Sequence, residues 1–89
     1  MQENKTSLKV LRSSLPLTQK ELATLAGLNE RTITEIERKT RPIRLTTAFS
    51  VVNALNKVLE SKGRPTVTIF DLNWILEETQ DLEDLRKTS

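Results

Sequence analysis

The sequence predicts one all-α domain of five short helices, and three observations carry that expectation. Its two glycines and three prolines (Gly27, Gly63, Pro16, Pro42 and Pro65) fall between stretches with helical periodicity, where they punctuate rather than interrupt. Thr18-Gln19-Lys20-Glu21 and Thr68-Ile69-Phe70-Asp71 both have the Thr-x-x-acid spacing of a helix start. The apolar fraction, 36 % of 89 residues with Phe49, Phe70 and Trp74 the only aromatics, suffices for a single core of leucine, isoleucine, valine and alanine.

Leu8, Leu11 and Leu15 repeat at three and four residues, which places a first helix from Ser7 to about Ser14, ending before Pro16. In the second, the Thr18 hydroxyl can accept from the N–H of Glu21 while the glutamate reaches back to the N–H of Thr18. Leu22, Leu25 and Ala26 supply its expected buried face, and Gly27 closes it, because a residue without Cβ takes the left-handed conformation cheaply. Leu28 turns inward, Asn29 is an N-cap, and Ile33 and Ile36 mark the inner side of a third helix from Glu30 to Arg38. Thr46 can cap a fourth helix with a broad stripe (Ala48, Phe49, Val51, Val52, Leu55, Val58, Leu59), the pattern of a central core helix. After the loop Ser61 to Pro65, the second capping signal leads into Leu72, Ile75 and Leu76 as a fifth helix. The run Thr66 to Phe70, rich in β-branched and aromatic residues, also fits a short strand. Residues 1–79 are expected to form the domain and residues 80–89 a polar tail that frays.

Composition narrows the function classes. With no cysteine and no histidine, disulfides, zinc-finger spacing, thiol nucleophiles and imidazole acid–base chemistry are unavailable, and no glycine-rich phosphate loop occurs. The expectation is a protein that is not an enzyme and needs no cofactor. No apolar run approaches the roughly 20 residues that cross a bilayer, and the first fifteen residues lack the apolar stretch of a secretory signal, so a cytoplasmic location is expected. Net charge is +2, but unevenly spread: residues 1–44 carry nine Lys/Arg against five Asp/Glu (+4), and residues 45–89 carry five against seven (−2). The first half is where an anionic partner would be held.

Two helices joined by a tight turn, TQKELATLAGLNERTITEIER over residues 18–38, have the layout of a helix-turn-helix. Leu17-Thr18-Gln19, Glu21-Leu22-Ala23, Ala26-Gly27-Leu28, Ile33, Ile36-Glu37 and then Arg41 and Pro42 resemble the phage repressor and Cro type of DNA-binding domain, the XRE family. The resemblance covers about residues 8–59, with Val67 to Leu72 similar to the start of that family's fifth helix. It implies a five-helix, lambda-repressor-like fold with the helix-turn-helix at helices two and three, and double-stranded DNA as partner. By the same resemblance Gln19 sits against a phosphate and steadies the recognition helix, and Asn29 lies at the turn near the backbone. Glu30, Arg31 and Glu35 face base edges, with Thr32 and Thr34 beside them.

The chemistry of these residues is compatible with that role. Arg31 can donate a bidentate pair to guanine O6 and N7 and a glutamate can accept from cytosine N4, each good contact discriminating by about 1–3 kcal/mol. Glu30 is equally suited to the positive end of a helix. Arg38, Lys39, Arg41 and Arg44 cluster within seven positions at the end of the recognition helix and the following loop, where the resemblance implies phosphate contact; a solvated basic loop is the plainer account. Four such contacts per subunit, doubled in a dimer, imply a salt slope of roughly −7 at about −0.9 per contact. Arg12 and Glu37 match positions that pair in some family members.

The chain departs from the family in reading Glu37-Arg38-Lys39 where Glu-x-Gly is usual, so either Lys39 turns left-handed or the helix runs on. The longer connection from Asn56 to Thr66 implies an extended fourth helix. The leading expectation is a sequence-specific transcriptional regulator, a repressor acting as a homodimer on a palindromic operator. Leu72, Trp74, Ile75, Leu76, Leu82 and Leu85 offer a dimerisation surface centred on Leu82 and Leu85, though Leu72, Ile75 and Leu76 also suit plain core packing. A second reading is an antitoxin whose acidic residues Glu77, Glu78, Asp81, Glu83 and Asp84 cover a basic toxin partner while it autoregulates its operon; a solvated helix end also explains those acids.

Overall fold

A computed structural model describes residues 6–39 and 42–77 of the chain. Four α-helices form in order: α1 (Leu8–Ser14), α2 (Gln19–Ala26), α3 (Glu30–Arg38) and α4 (Leu45–Ser61), followed by a single 3-10 turn at Ile69–Asp71. Among the described residues there is no multi-residue strand.

Local chemistry sets the helix ends. The Ser7 hydroxyl accepts from the Val10 N–H to begin α1. Thr18 and Glu21 close a reciprocal capping box at the start of α2, with 3.0 and 2.9 Å bonds. At the far end Gly27 takes φ 72°. The Leu28 N–H then bonds the Ala23 carbonyl at 2.9 Å and the Gly27 N–H the Thr24 carbonyl, a Schellman stop that turns Leu28 inward. Asn29 caps α3. Lys39 ends that helix in the left-handed conformation (φ 56°, ψ 40°), so the expected glycine position is filled by a residue that bears the strain.

Four sequence expectations are corrected. The helix α4 starts at Leu45 with Arg44 as its N-cap residue, so Thr46 lies inside its first turn. On α2 the buried pair is Leu22 and Ala23, whereas Leu25 is 45 % exposed, because α3 and α4 both pack on the Leu22–Ala23 side. Phe49 is exposed at the edge of the α4 stripe. The fifth helix does not form: after the 3-10 turn, Leu72 is extended (φ −106°, ψ 148°) and the chain stays extended through Glu77.

The core explains the last correction. Fifteen buried apolar residues cluster around α4, which alone contributes Leu45, Ala48, Val51, Val52, Ala54, Leu55 and Leu59. Beyond the turn, Leu72 is buried and Trp74 and Leu76 are half-buried against this cluster, while Asn73 and Ile75 are exposed. That is a period of two, the pattern of an extended chain with one wet face. The segment is stitched at two points: Thr6 donates to Asp71 O and accepts from Asn73 N–H, and Ile43 donates to Ile75 O and accepts from Glu77 N–H, at 2.9–3.1 Å. These are parallel bridges, Thr6 to Leu72 and Ile43 to Leu76. The preceding loop is pinned by Asn56, whose side-chain amide donates to Val67 O at 2.9 Å and accepts from Val67 N–H at 2.8 Å.

Candidate nucleic-acid interface

The tight Gly27–Asn29 turn sets α3 against α2, and Ile33 and Ile36 bury its inner face completely or nearly so. The opposite face consists of polar side chains, and this follows from the sequence ERTITEIER, in which only the two isoleucines are apolar.

A chain of polar contacts then fixes the angle of α3. The Arg12 guanidinium on α1 meets the Glu37 carboxylate in a two-point pair, Nε to Oε2 at 2.6 Å and Nη2 to Oε1 at 3.2 Å. Both side chains are largely withdrawn from water, 12 % and 5 % exposed. Arg12 also donates from Nη1 to the Leu17 carbonyl at 2.8 Å, which ties the α1–α2 connection to the same point. Glu37 Oε1 accepts a further bond from Gln19 Nε2 at 2.9 Å, and Gln19 Oε1 accepts from the Thr34 hydroxyl at 3.0 Å. Three helices are thus joined through one carboxylate, and no buried side-chain polar atom among the described residues is without a partner.

The sequence-selected residues fall as follows. Glu30 and Arg31 project from the first turn of α3; the Arg31 side chain is 88 % exposed and its Nε lies 3.4 Å from Glu35 Oε2 one turn on. The Thr32 hydroxyl donates to Asn29 Oδ1 at 2.7 Å, so Asn29 and Thr32 cap the helix together. The Thr34 hydroxyl is shared between Gln19 and the Glu30 carbonyl. Arg38, Lys39 and Arg44 are exposed at the end of α3 and the start of α4. Arg41 and the dimerisation residues Leu82 and Leu85 lie outside the described residues, as do the acidic tail positions from Glu78 onward. Glu77 is half-buried at the end of the extended segment.

Sequence reasoning passed over Lys9. It lines, with Gln19, Thr34, Glu37 and Arg38, a polar cleft of about 290 Å³ between α1, α2 and α3. Its one sequence signal is its place three residues before Arg12 on the same helix face. No group of acidic residues among the described ones has the arrangement of a metal site, and no described helix is long and apolar enough to cross a membrane.

Two short helices at a tight turn, the second with a buried apolar seam and a polar outer face, define a DNA-binding domain of the helix-turn-helix class. A helix-turn-helix family model matches residues 8–61, the span from α1 to the end of α4. The chain belongs to that family, of the XRE type, and is a DNA-binding transcriptional regulator. No curated protein and no solved structure matches it.

Proposed function

We propose that the protein is a sequence-specific repressor that binds a palindromic operator as a homodimer, α3 of each subunit lying in the major groove. The observation that supports this reading most is the clamp on α3. A helix that reads base edges must be held rigidly, and the Arg12–Glu37–Gln19–Thr34 network does this by tying α3 to α1 and α2. Glu30, Arg31 and Glu35 then address base edges, with Thr32 and Thr34 alongside, and the Arg31–Glu35 pair opens to make those contacts. At 88 % exposure of Arg31 that pair is worth little, so little is lost by exchanging it for guanine.

Arg38, Lys39, Arg41 and Arg44 hold the backbone. Gln19 is engaged with Glu37 and Thr34 in the free protein; its amide lies in the cleft flanked by Lys9 and Arg38, and those two cations draw a phosphate to that mouth. Repression follows by occlusion, since an operator-bound dimer of so small a domain needs no further chemistry to block a promoter.

Selection of bound duplexes from a random DNA pool at about 0.15 M salt tests this directly. Enrichment of an inverted repeat with half-site centres about 10 base pairs apart is expected. A folded protein that enriches no sequence overturns the reading and favours an antitoxin-like interaction module. Within the selected site, Arg31→Ala should relax preference at one position per half-site, whereas Arg44→Ala should weaken all sequences alike and lower the salt slope by about one.

A further inference from the structure

Each of the two bridges to the extended segment lands on the residue just before a helix cap. Thr6 precedes Ser7, the N-cap of α1, and Ile43 precedes Arg44, the N-cap residue of α4. The segment is itself firmly seated: Leu72 is 2 % exposed, and the Trp74 indole N–H donates to the Ile69 carbonyl at 2.9 Å. At its far end it holds Ile43 by both backbone groups, Ile43 N–H to Ile75 O and Glu77 N–H to Ile43 O, each at 2.9 Å. The second of these bonds bears on Arg44. A peptide group is planar, so the Ile43 carbonyl and the Arg44 N–H are one rigid unit, and the bond from Glu77 fixes how that unit is turned. On the other side the Arg44 carbonyl accepts from the Ala48 N–H at 3.0 Å. The Cα of Arg44, at φ −70° and ψ 149°, therefore stands between two held peptide planes, which set the direction in which its exposed side chain leaves the backbone.

We propose that the backbone of Ile75 and Glu77 positions Arg44 for contact with a DNA phosphate, so that the grip at the start of α4 depends on a segment more than thirty residues further along the chain. The inference rests on the assignment of Arg44 to the DNA backbone and deepens it by naming what aims the side chain. An arginine on a loose loop must give up backbone freedom when it meets a phosphate, whereas one rooted between fixed planes gives up chiefly its own rotamers. The Ile43 side chain packs against the core and Leu45 is buried, so the residues on either side of Arg44 are anchored while Arg44 itself is offered to solvent. Glu77 and Ile75 act here through main-chain atoms, and they are positioning residues rather than DNA contacts.

A double-mutant cycle in the full chain tests this, read as affinity for a duplex retained in the selection above over a salt series from about 50 to 200 mM. Glu77→Pro removes the N–H that holds the Ile43 carbonyl, and Glu77→Ala, which loses the same carboxylate but keeps that N–H, is the reference. Relative to it, Glu77→Pro should bind about five- to tenfold more weakly, with a salt slope lower by up to about one per half-site. In an Arg44→Ala background the same exchange should change affinity by less than about twofold. Asn73→Pro removes a bond of the same kind at the other end of the segment, Asn73 N–H to Thr6 O at 2.9 Å, and should cost the same with Arg44 present or absent. Circular dichroism melts check that each variant is folded. Should Glu77→Pro not fold, an ester in place of the amide at residue 77 removes the same N–H without a ring and gives the same readouts. Glu77→Pro binding as well as Glu77→Ala overturns the proposal, as does a loss that persists in full without Arg44, the result of a segment that merely stabilises the fold. A salt slope unmoved by Arg44→Ala instead removes the phosphate contact itself, and with it the role assigned to Glu77.

Discussion

Arg12→Ala probes the joint on which the orientation of the recognition helix rests. Removing the guanidinium deletes two contacts to a carboxylate that is 5 % exposed, leaving Glu37 with the Gln19 amide, and also deletes the 2.8 Å bond to the Leu17 carbonyl. Stranding one partner of a withdrawn ion pair costs about 3–5 kcal/mol; because Arg12 keeps 12 % exposure and Gln19 remains, the lower end, about 3 kcal/mol, is expected. Urea unfolding followed by circular dichroism measures it. Replacing both partners by apolar residues of similar size, Arg12→Met with Glu37→Leu, should recover most of that loss, because the cost lies in the orphaned charge rather than in any large net gain from the pair. A loss below about 1 kcal/mol for Arg12→Ala, the range of solvent-exposed pairs, would refute the reasoning. The apolar double variant should also bind its operator more weakly than its stability alone implies, since Gln19 and Thr34 lose their anchor on α1.

Three further outcomes follow from local geometry. Gly27→Ala should destabilise by about 1–2 kcal/mol in the same unfolding assay; the added methyl meets nothing within 4 Å, so the whole cost is the positive φ. Lys39→Gly should stabilise the fold by roughly 1 kcal/mol through relief of the left-handed strain while lowering operator affinity and its salt slope, two readouts of opposite sign from one residue. Asn56→Ala removes both bonds to the Val67 backbone and should cost about 2 kcal/mol, with amide exchange quickening first at Val67.

The first four helices were legible because their signals are local. Ser7, Thr18 and Asn29 cap with their own side chains, and Gly27 stops α2 by a conformation only glycine takes without cost. The helix-turn-helix and its exposed residues follow from the same stretch. The Arg12–Glu37 pair was suggested by resemblance, but its withdrawal from water and its extension to Gln19 and Thr34 arise only when three helices converge.

The segment after Phe70 marks where local information ends. Its capping box is real and is satisfied, with Thr68 and Asp71 bonded as expected, yet it supports a single turn. Leu72, Trp74, Ile75 and Leu76 can be read at a helical spacing through Ile75 or at a spacing of two through Trp74, and nothing in the residues chooses. The choice is made by Thr6 and Ile43, distant in sequence, whose backbone groups need partners and find them in an extended chain. By itself, then, the sequence determined the four helices, the stop at Gly27 and the polar outer face of α3, because caps and amphipathic stripes act within a few residues. The tertiary structure alone decided which side of α2 is buried, how firmly α3 is held and that the chain beyond the turn is extended, because those depend on hydrogen bonds and packing between segments far apart in the chain.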